Sequence, residues 1–265
     1  MNELKITFEY KYINGVNSKC LSKHRHINRI FPYCVAVSVE KGVFFVEINH
    51  KRYEVFEGET IFIPSFVPHN VGVDSDGVAT HAHFVCSYLN VDIFNFSKIN
   101  SLIVKNSDIC KLLTKMNHSA AIGGVEGKLG IDNAISGIIC ILFHERLLTP
   151  ECLSKDLWLC KVLNYINENA HQAITVDEII SLSGYAKTNL YQLFKKTINL
   201  TPHQYIEQER LKKAIFSMLE GKNIKESAKS AGYDDEIYFT KKFKKIFGMT
   251  PSEYRKNVKN QWGKT

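Results

Sequence analysis

Tryptophan and proline are scarce in this chain of 265 residues, at two and six respectively, and no two cysteines stand at C-x-x-C spacing. The seven cysteines, Cys20, Cys34, Cys86, Cys110, Cys140, Cys152 and Cys160, are odd in number and scattered. That argues against a disulfide framework or a zinc ribbon and fits reduced thiols used as small hydrophobes. Long hydrophobic runs are missing too. The longest, around Ala134 to Phe143, covers about ten residues and is broken by Ser136 and Gly137, where a membrane span needs roughly 20. Met1 is followed by Asn2, Glu3, Leu4 and Lys5 and by no apolar segment, so no secretory signal is expected, and the protein is expected in the cytoplasm without a membrane partner.

What is present is an ordinary globular composition, 45% hydrophobic and 23% charged, in a chain long enough for two domains. The net charge of +7 is unevenly placed. Residues 1–154 hold 15 lysines and arginines against 15 acidic residues, and residues 155–265 hold 19 against 12, so the whole excess lies in the C-terminal part. A polyanionic partner for that part would explain the asymmetry.

The first ninety residues have β character. Val35–Val39, Val43–Ile48, Tyr53–Phe56, Thr60–Ile63 and His83–Cys86 are short runs rich in β-branched and aromatic residues, separated by turn signals such as Glu57-Gly58-Glu59. This spacing predicts a β-sandwich or small barrel. The period then changes. Ile109, Leu112, Leu113 and Met116, and later Ile131, Ala134, Ile135, Ile138, Ile139 and Leu142, recur at helical intervals, predicting two helices that close the domain. The second of these, about Lys128 to Leu148, carries Ile, Leu and Phe on more than one face, which predicts a dimer interface at Ile138 and Ile139. A link is expected near Thr149-Pro150-Glu151. The fold class expected is α+β, with one domain over 1–150 and an all-α domain over 155–260.

An internal repeat dominates the second domain. Ile174-Thr175-Val176-Asp177-Glu178-Ile179 leads into Gly184-Tyr185, Leu190, Phe194-Lys195-Lys196 and Thr201-Pro202-x-x-Tyr205. Ile224 to Ala228 leads into Gly232-Tyr233, Phe239, Phe243-Lys244-Lys245 and Thr250-Pro251-x-x-Tyr254. The offset is 48 residues up to the Gly-Tyr pair and 49 after it, so the second copy has one extra residue in its turn or at its helix start. Each copy reads as a helix-turn-helix. Gly184 and Gly232 take the tight turn, and Leu190 with Phe194, or Phe239 with Phe243, anchor one face of the second helix, leaving the other for a DNA groove. Asn199 and Gly248 fit left-handed C-caps, and Thr-Pro fits the start of the next helix. Asp234, Asp235 and Glu236 are expected to cap the second recognition helix rather than to touch phosphate.

These landmarks, together with Tyr165-Ile166, Arg210-Leu211-x-x-Ala214, Ala228-x-x-x-Gly232-Tyr233 and Tyr254-Arg255, resemble the AraC/XylS-type transcription regulators over roughly Val162 to Arg255. The resemblance implies two helix-turn-helix units joined by a long helix, here about Pro202 to Glu220, entering successive major-groove faces of double-stranded DNA. By matching position, the groove-facing residues would be Lys187, Thr188, Tyr191, Gln192 and Lys195 in the first unit and Glu236, Ile237, Thr240, Lys241 and Lys244 in the second. The chain departs from the family's pattern at Ile180 (usually Ala), Ala186 (usually a Ser N-cap) and Ser227 (usually apolar).

His24-x-His26 with Gly58-x5-Pro64-x4-His69 looks like the two motifs of a cupin barrel over about residues 19–90, with Phe66 in place of the usual Gly and no Glu at the expected spacing after His26. The resemblance implies an N-terminal cupin-like barrel that binds a small-molecule effector and dimerises, with pocket candidates His24, His26, Phe44, Val46, Phe62, Phe66, His69 and Tyr88. His24, His26 and His69 are also candidate metal ligands, with His81 and His83 beside them. The missing carboxylate favours a metal-free pocket with no cofactor and no catalytic residue. The function expected is a DNA-binding transcription regulator, a homodimer with RNA polymerase as a further partner. The alternatives are a metal-dependent cupin enzyme, an isomerase or dioxygenase, fused to a DNA-binding module, and a structural dimer module whose barrel binds nothing.

Overall fold

The computed structural model describes residues 8–21, 25–88, 91–95, 103–148, 157–172 and 174–262. The chain forms two compact units, divided between Leu153 and Ser154, residues 89–91 aside. The expected link at Thr149-Pro150-Glu151 lies outside the described residues.

The first unit is built on two antiparallel sheets. Strands β1 (Phe8–Cys20), β8 (Gly77–Tyr88), β3 (Cys34–Lys41), β6 (Glu59–Ile63) and β10 (Ile103–Lys105) lie side by side in that order, with β9 (Val91–Asp92) on β8. The second sheet runs β2 (Arg25–Arg29), β7 (His69–Val73), β4 (Phe44–Ile48) and β5 (Lys51–Val55). Paired residues share a face, and alternate residues face opposite ways. In the larger sheet, Val35 pairs with Ile63 and His83, and Val37 with Ile61 and His81, which puts these on one face. Ala36, Phe62, Ala82, Phe84, Cys86 and Tyr88 occupy the other.

Two helices cover that second face. α1 (Ser107–Ile122) starts at Asn106, whose side chain accepts from the Asp108 N–H, and ends at Gly123. Its Asn117 donates to the His81 carbonyl at 3.1 Å and accepts from the Tyr12 hydroxyl at 3.2 Å. α2 (Gly124–His144) packs on α1, and its Ser136 hydroxyl donates to the Tyr10 oxygen at 3.0 Å. The sequence places this helix some four residues too late, because its apolar periodicity starts only at Ile131. Ile138 and Ile139 are buried within the unit, along with Ala134, Ile135 and Leu142. The apolar positions expected to form a dimer seam therefore serve the unit's own core, and what α2 exposes is Val125 and Leu129. Among the described residues no helix is long and apolar enough to cross a membrane.

The second unit is helical: α3 (Leu157–Asn169), α4 (Val176–Ser183), α5 (Lys187–Ile198), α6 (Pro202–Leu219), α7 (Ile224–Ser230), α8 (Glu236–Phe247) and α9 (Pro251–Trp262). Its helix starts are strongly determined. Thr175 with Glu178, Thr201 with Gln204 and Asn223 with Glu226 each form a reciprocal capping box. Asn199 and Gly248 both adopt the left-handed conformation at the C-caps of α5 and α8. The core between the helices is aromatic: Phe239, Phe243, Phe247 and Tyr254 meet in succession, Phe243 and Phe247 stacked with centroids 4.3 Å apart and the other two contacts edge-on.

Candidate functional site

The two helix pairs α4–α5 and α7–α8 are the repeated units, joined by α6. Eighteen residues at 1.5 Å rise make α6 about 27 Å long, near the roughly 34 Å of one DNA turn. Arg210 fixes this helix to the end of α3, with its Nε and a terminal nitrogen donating to the carbonyls of Ala170 and Gln172 at 2.7 Å each. The Tyr233 hydroxyl donates to Glu207 at 3.0 Å, tying the second turn to α6, and burial holds that phenol protonated.

In α5, Leu190, Phe194 and Ile198 are buried, and Lys187, Thr188, Gln192 and Lys195 are exposed, with Tyr191 half-buried. In α8, Phe239, Phe243 and Phe247 are buried, and Glu236, Ile237, Lys241 and Lys244 are exposed, with Thr240 half-buried. Each set shares one helix on the side away from the core. Ile237 is 67% exposed, an uncommon position for isoleucine on a helix. Lys195 has a local engagement as well, since its Nζ donates to the Asn199 carbonyl at 3.0 Å.

The extra residue of the second copy sits in its turn. Gly184 is two residues before the cap Ala186, whereas Gly232 is three before the cap Asp235. Asp235 accepts from the Ile237 and Tyr238 N–H groups at 2.7 and 3.3 Å, so of the acidic triplet it is the capping residue. Ala186 offers no side-chain cap. Tyr238, about half exposed and approached by Lys242 at 5.4 Å, was not among the residues expected at the groove. Its neighbour Phe239 is core, and helical periodicity alone does not separate the two.

The inner surface of the first unit is more polar than the sequence suggests. Phe44, Val46 and Ile48 pair with Val73, Val71 and His69, and His26 and Arg29 pair with Val71 and His69, so all of these face the same way. Phe31 joins this face to the larger sheet, its ring centroid 5.9 Å from that of His69 and 5.3 Å from that of His83. Of the pocket candidates, His26, Phe44, Val46 and His69 therefore come together. Phe62 and Tyr88 do not: they point to the helix-covered face, where Phe62 stacks on Phe94 and Tyr88 meets Phe8. A one-residue difference in strand parity decides this, and Ile61 and Ile63 take the inner face instead. Phe66 lies in the β6–β7 turn at φ 61, and its N–H donates to the Phe31 carbonyl at 2.7 Å. There it takes the left-handed conformation that the usual glycine would hold. His24 lies outside the described residues. Among the described residues no three His, Cys, Asp or Glu side chains are grouped to hold a metal ion.

Charge within this inner face is held back by burial. Desolvation, reinforced by the positive charge of Arg29, pushes His69 and His81 down to about 4 and His83 down as well. The guanidinium of Arg29 is itself pushed down to about 10 by burial.

Comparison with known proteins bears on both units. Residues 181–257 match a helix-turn-helix domain family and residues 16–129 match the AraC-like ligand binding domain family. The TetD protein of transposon Tn10 from Escherichia coli is 39% identical over 97 residues, covering 36% of this chain and 70% of that protein. The xylose operon regulatory protein of Haemophilus influenzae is 26% identical over 254 residues, 83% of this chain and 65% of that one. A probable transcriptional regulator of Photobacterium leiognathi, LumQ, is 29% identical over 117 residues, 44% of this chain and 47% of its own. The chain thus spans about half the length of LumQ and about two thirds of the other two. ToxT of Vibrio cholerae has the same two-domain fold, with a TM-score of 0.64 at 15% identity over 94% of this chain and 97% of that one.

Proposed function

Since this chain belongs to the AraC/XylS family of transcription regulators, we propose that it binds a specific duplex DNA site through α5 and α8 and regulates transcription in response to a small molecule held in its N-terminal unit. The observation that carries this reading is the duplicated helix-turn-helix, in which two recognition helices each bury one aromatic or aliphatic face and expose the other. The exposed residues suit the task. Gln192 can read adenine through two hydrogen bonds, Lys187 and Lys241 can read guanine or neutralise phosphate, and Ile237 can meet a thymine methyl. The +7 charge carried by residues 155–265 supplies counterion release.

On this reading residues 1–150 form the effector and dimerisation domain and 155–260 the DNA-binding domain. The protein acts in the cytoplasm as a homodimer, with RNA polymerase as a further partner, and is not an enzyme. The test is a gel-shift comparison of the full chain with Gln192→Ala and Lys241→Ala on a selected site and on single-base variants of it. A base-reading side chain should cost roughly 1–3 kcal/mol and relax preference in its own segment. A phosphate contact should weaken all sequences alike and lower the salt slope by about one. Unchanged preference and affinity in both variants would reject these residues as readers.

A further inference from the structure

The inner face of the first unit holds buried polar atoms that the protein leaves unsatisfied. Arg29 Nε, His69 Nε2 and His83 Nδ1 are all buried without a hydrogen-bond partner among the described residues. Such groups are rare in a folded protein and call for an explanation. They also belong together. Arg29 and His69 are direct cross-strand partners on one face, a position that puts their Cβ atoms about 4.5–5.5 Å apart. The Arg29 guanidinium lies 5.6 Å from the Phe31 ring, which in turn touches both His69 and His83. The two histidines are only 4% and 5% exposed.

The hydrogen-bonding character of each atom can be assigned. His69 Nδ1 lies 2.8 Å from the Val67 carbonyl, and because a carbonyl only accepts, Nδ1 carries the hydrogen. In the neutral ring Nε2 is then a bare acceptor. Arg29 is a cation, and among the described residues the titratable group acting on it is the Tyr33 phenol, neutral when protonated, and not a carboxylate. The site therefore offers a positive donor and, beside it, a neutral acceptor. His83 Nδ1 takes either role, according to its tautomer. Phe31 and Tyr33, stacked at 5.2 Å, together with Phe44 and Val46 supply an apolar wall.

We propose that this site takes a small hydroxycarboxylate, its carboxylate on Arg29, its hydroxyl donating to His69 Nε2, and its body against the Phe31–Tyr33 rings. A plain carboxylate leaves the His69 acceptor unfilled, and a neutral polyol leaves the Arg29 charge uncompensated in a buried place; both are costly. The inference rests on the reading of the first unit as a small-molecule sensor and narrows its ligand to one chemical class.

The experiment is calorimetry on the full wild-type chain with matched probes: glycolate, lactate and mandelate; acetate, propionate and phenylacetate, which lack the hydroxyl; and glycolamide, lactamide and mandelamide, which lack the charge. The expected result is that at least one hydroxy acid binds roughly tenfold or more tighter than both its deoxy and its amide counterpart. Arg29→Met and His69→Phe should each lose that preference. If either variant fails to fold, the wild-type series alone decides. An amide or a deoxy acid that binds as well as the hydroxy acid overturns the proposal, and so does a full series without binding. Xylose and arabinose, run as neutral controls, separate the two failures: binding of a sugar alone leaves the sensor reading standing and removes the hydroxycarboxylate.

Discussion

Replacing each turn glycine by alanine should have unequal consequences in the two repeats. Gly184 adopts φ 68 and Gly232 φ 85, a region in which an L-residue is strained by about 1–2 kcal/mol. Here the likeness ends. A Cβ at Gly184 would meet nothing within 4 Å among the described residues, whereas at Gly232 it would lie 2.6 Å from the His171 carbonyl oxygen and 2.8 Å from its carbon. These are backbone atoms, which cannot swing aside as a flexible side chain would, and forced overpacking of this kind costs a further ~1–3 kcal/mol. Gly184→Ala should therefore destabilise by about 1–2 kcal/mol and Gly232→Ala by about 2–5 kcal/mol. The gain from a stiffer unfolded chain is common to both and cancels in the comparison. Both tryptophans, Trp158 and Trp262, belong to the second unit, so tryptophan fluorescence during urea unfolding of the full chain reports that unit. Equal midpoints for the two variants, or a lower one for Gly184→Ala, would refute the close approach at His171.

Three further outcomes follow from particular atoms. Ala186→Ser gives α5 the hydroxyl cap it lacks and should raise stability by about 0.5–1 kcal/mol in the same urea assay; no change would mean that the free N–H groups are already satisfied. Ser227 is fully buried in α7, and its hydroxyl has no partner among the described residues, so Ser227→Ala should be stabilising, by about 1 kcal/mol, and a loss of stability would show that the hydroxyl is hydrogen-bonded. For the first unit, His69 and His81 ionise near pH 4 when folded and near 6.5 when unfolded. Between those values the unfolded chain binds protons that the folded one refuses, so stability falls on acidification from pH 6.5 to 4, by up to about 1.4 kcal/mol per pH unit for each histidine. His81→Asn should make that fall shallower in thermal unfolding measured across the range.

The second unit was far more legible in the sequence than the first. Its caps, turn glycines and aromatic anchors act locally, so residue type and spacing fix them, down to the single extra residue that makes Asp235 the cap of α8. Helix α2 begins some four residues before the start that the sequence predicts, because its apolar periodicity becomes legible only from Ile131, while Gly127 and Gly130 sit inside the helix where it packs closely on Ser119 of α1. The inner face was half legible. Phe44, Val46 and His69 are legible as pocket candidates, but the sequence does not separate them from Phe62 and Tyr88, because a continuous apolar run such as Ile61-Phe62-Ile63 is buried on both sides of its sheet and has no alternation to read. Arg29 went unnoticed, since an arginine at a strand end reads as solvated until its partner across the strand, His69, is known.

Selection of binding sites from a random duplex library by the full chain tests the DNA-binding claim most directly. The enriched sequences should contain two preferred segments about one helical turn, ~10 base pairs, apart. Substitution at Gln192 should relax only one segment and substitution at Lys241 only the other, with affinity for the winning site falling steeply as salt rises. Enrichment of a single segment, or of none at low salt, would contradict the assignment of α5 and α8 as two recognition helices of one DNA-binding unit.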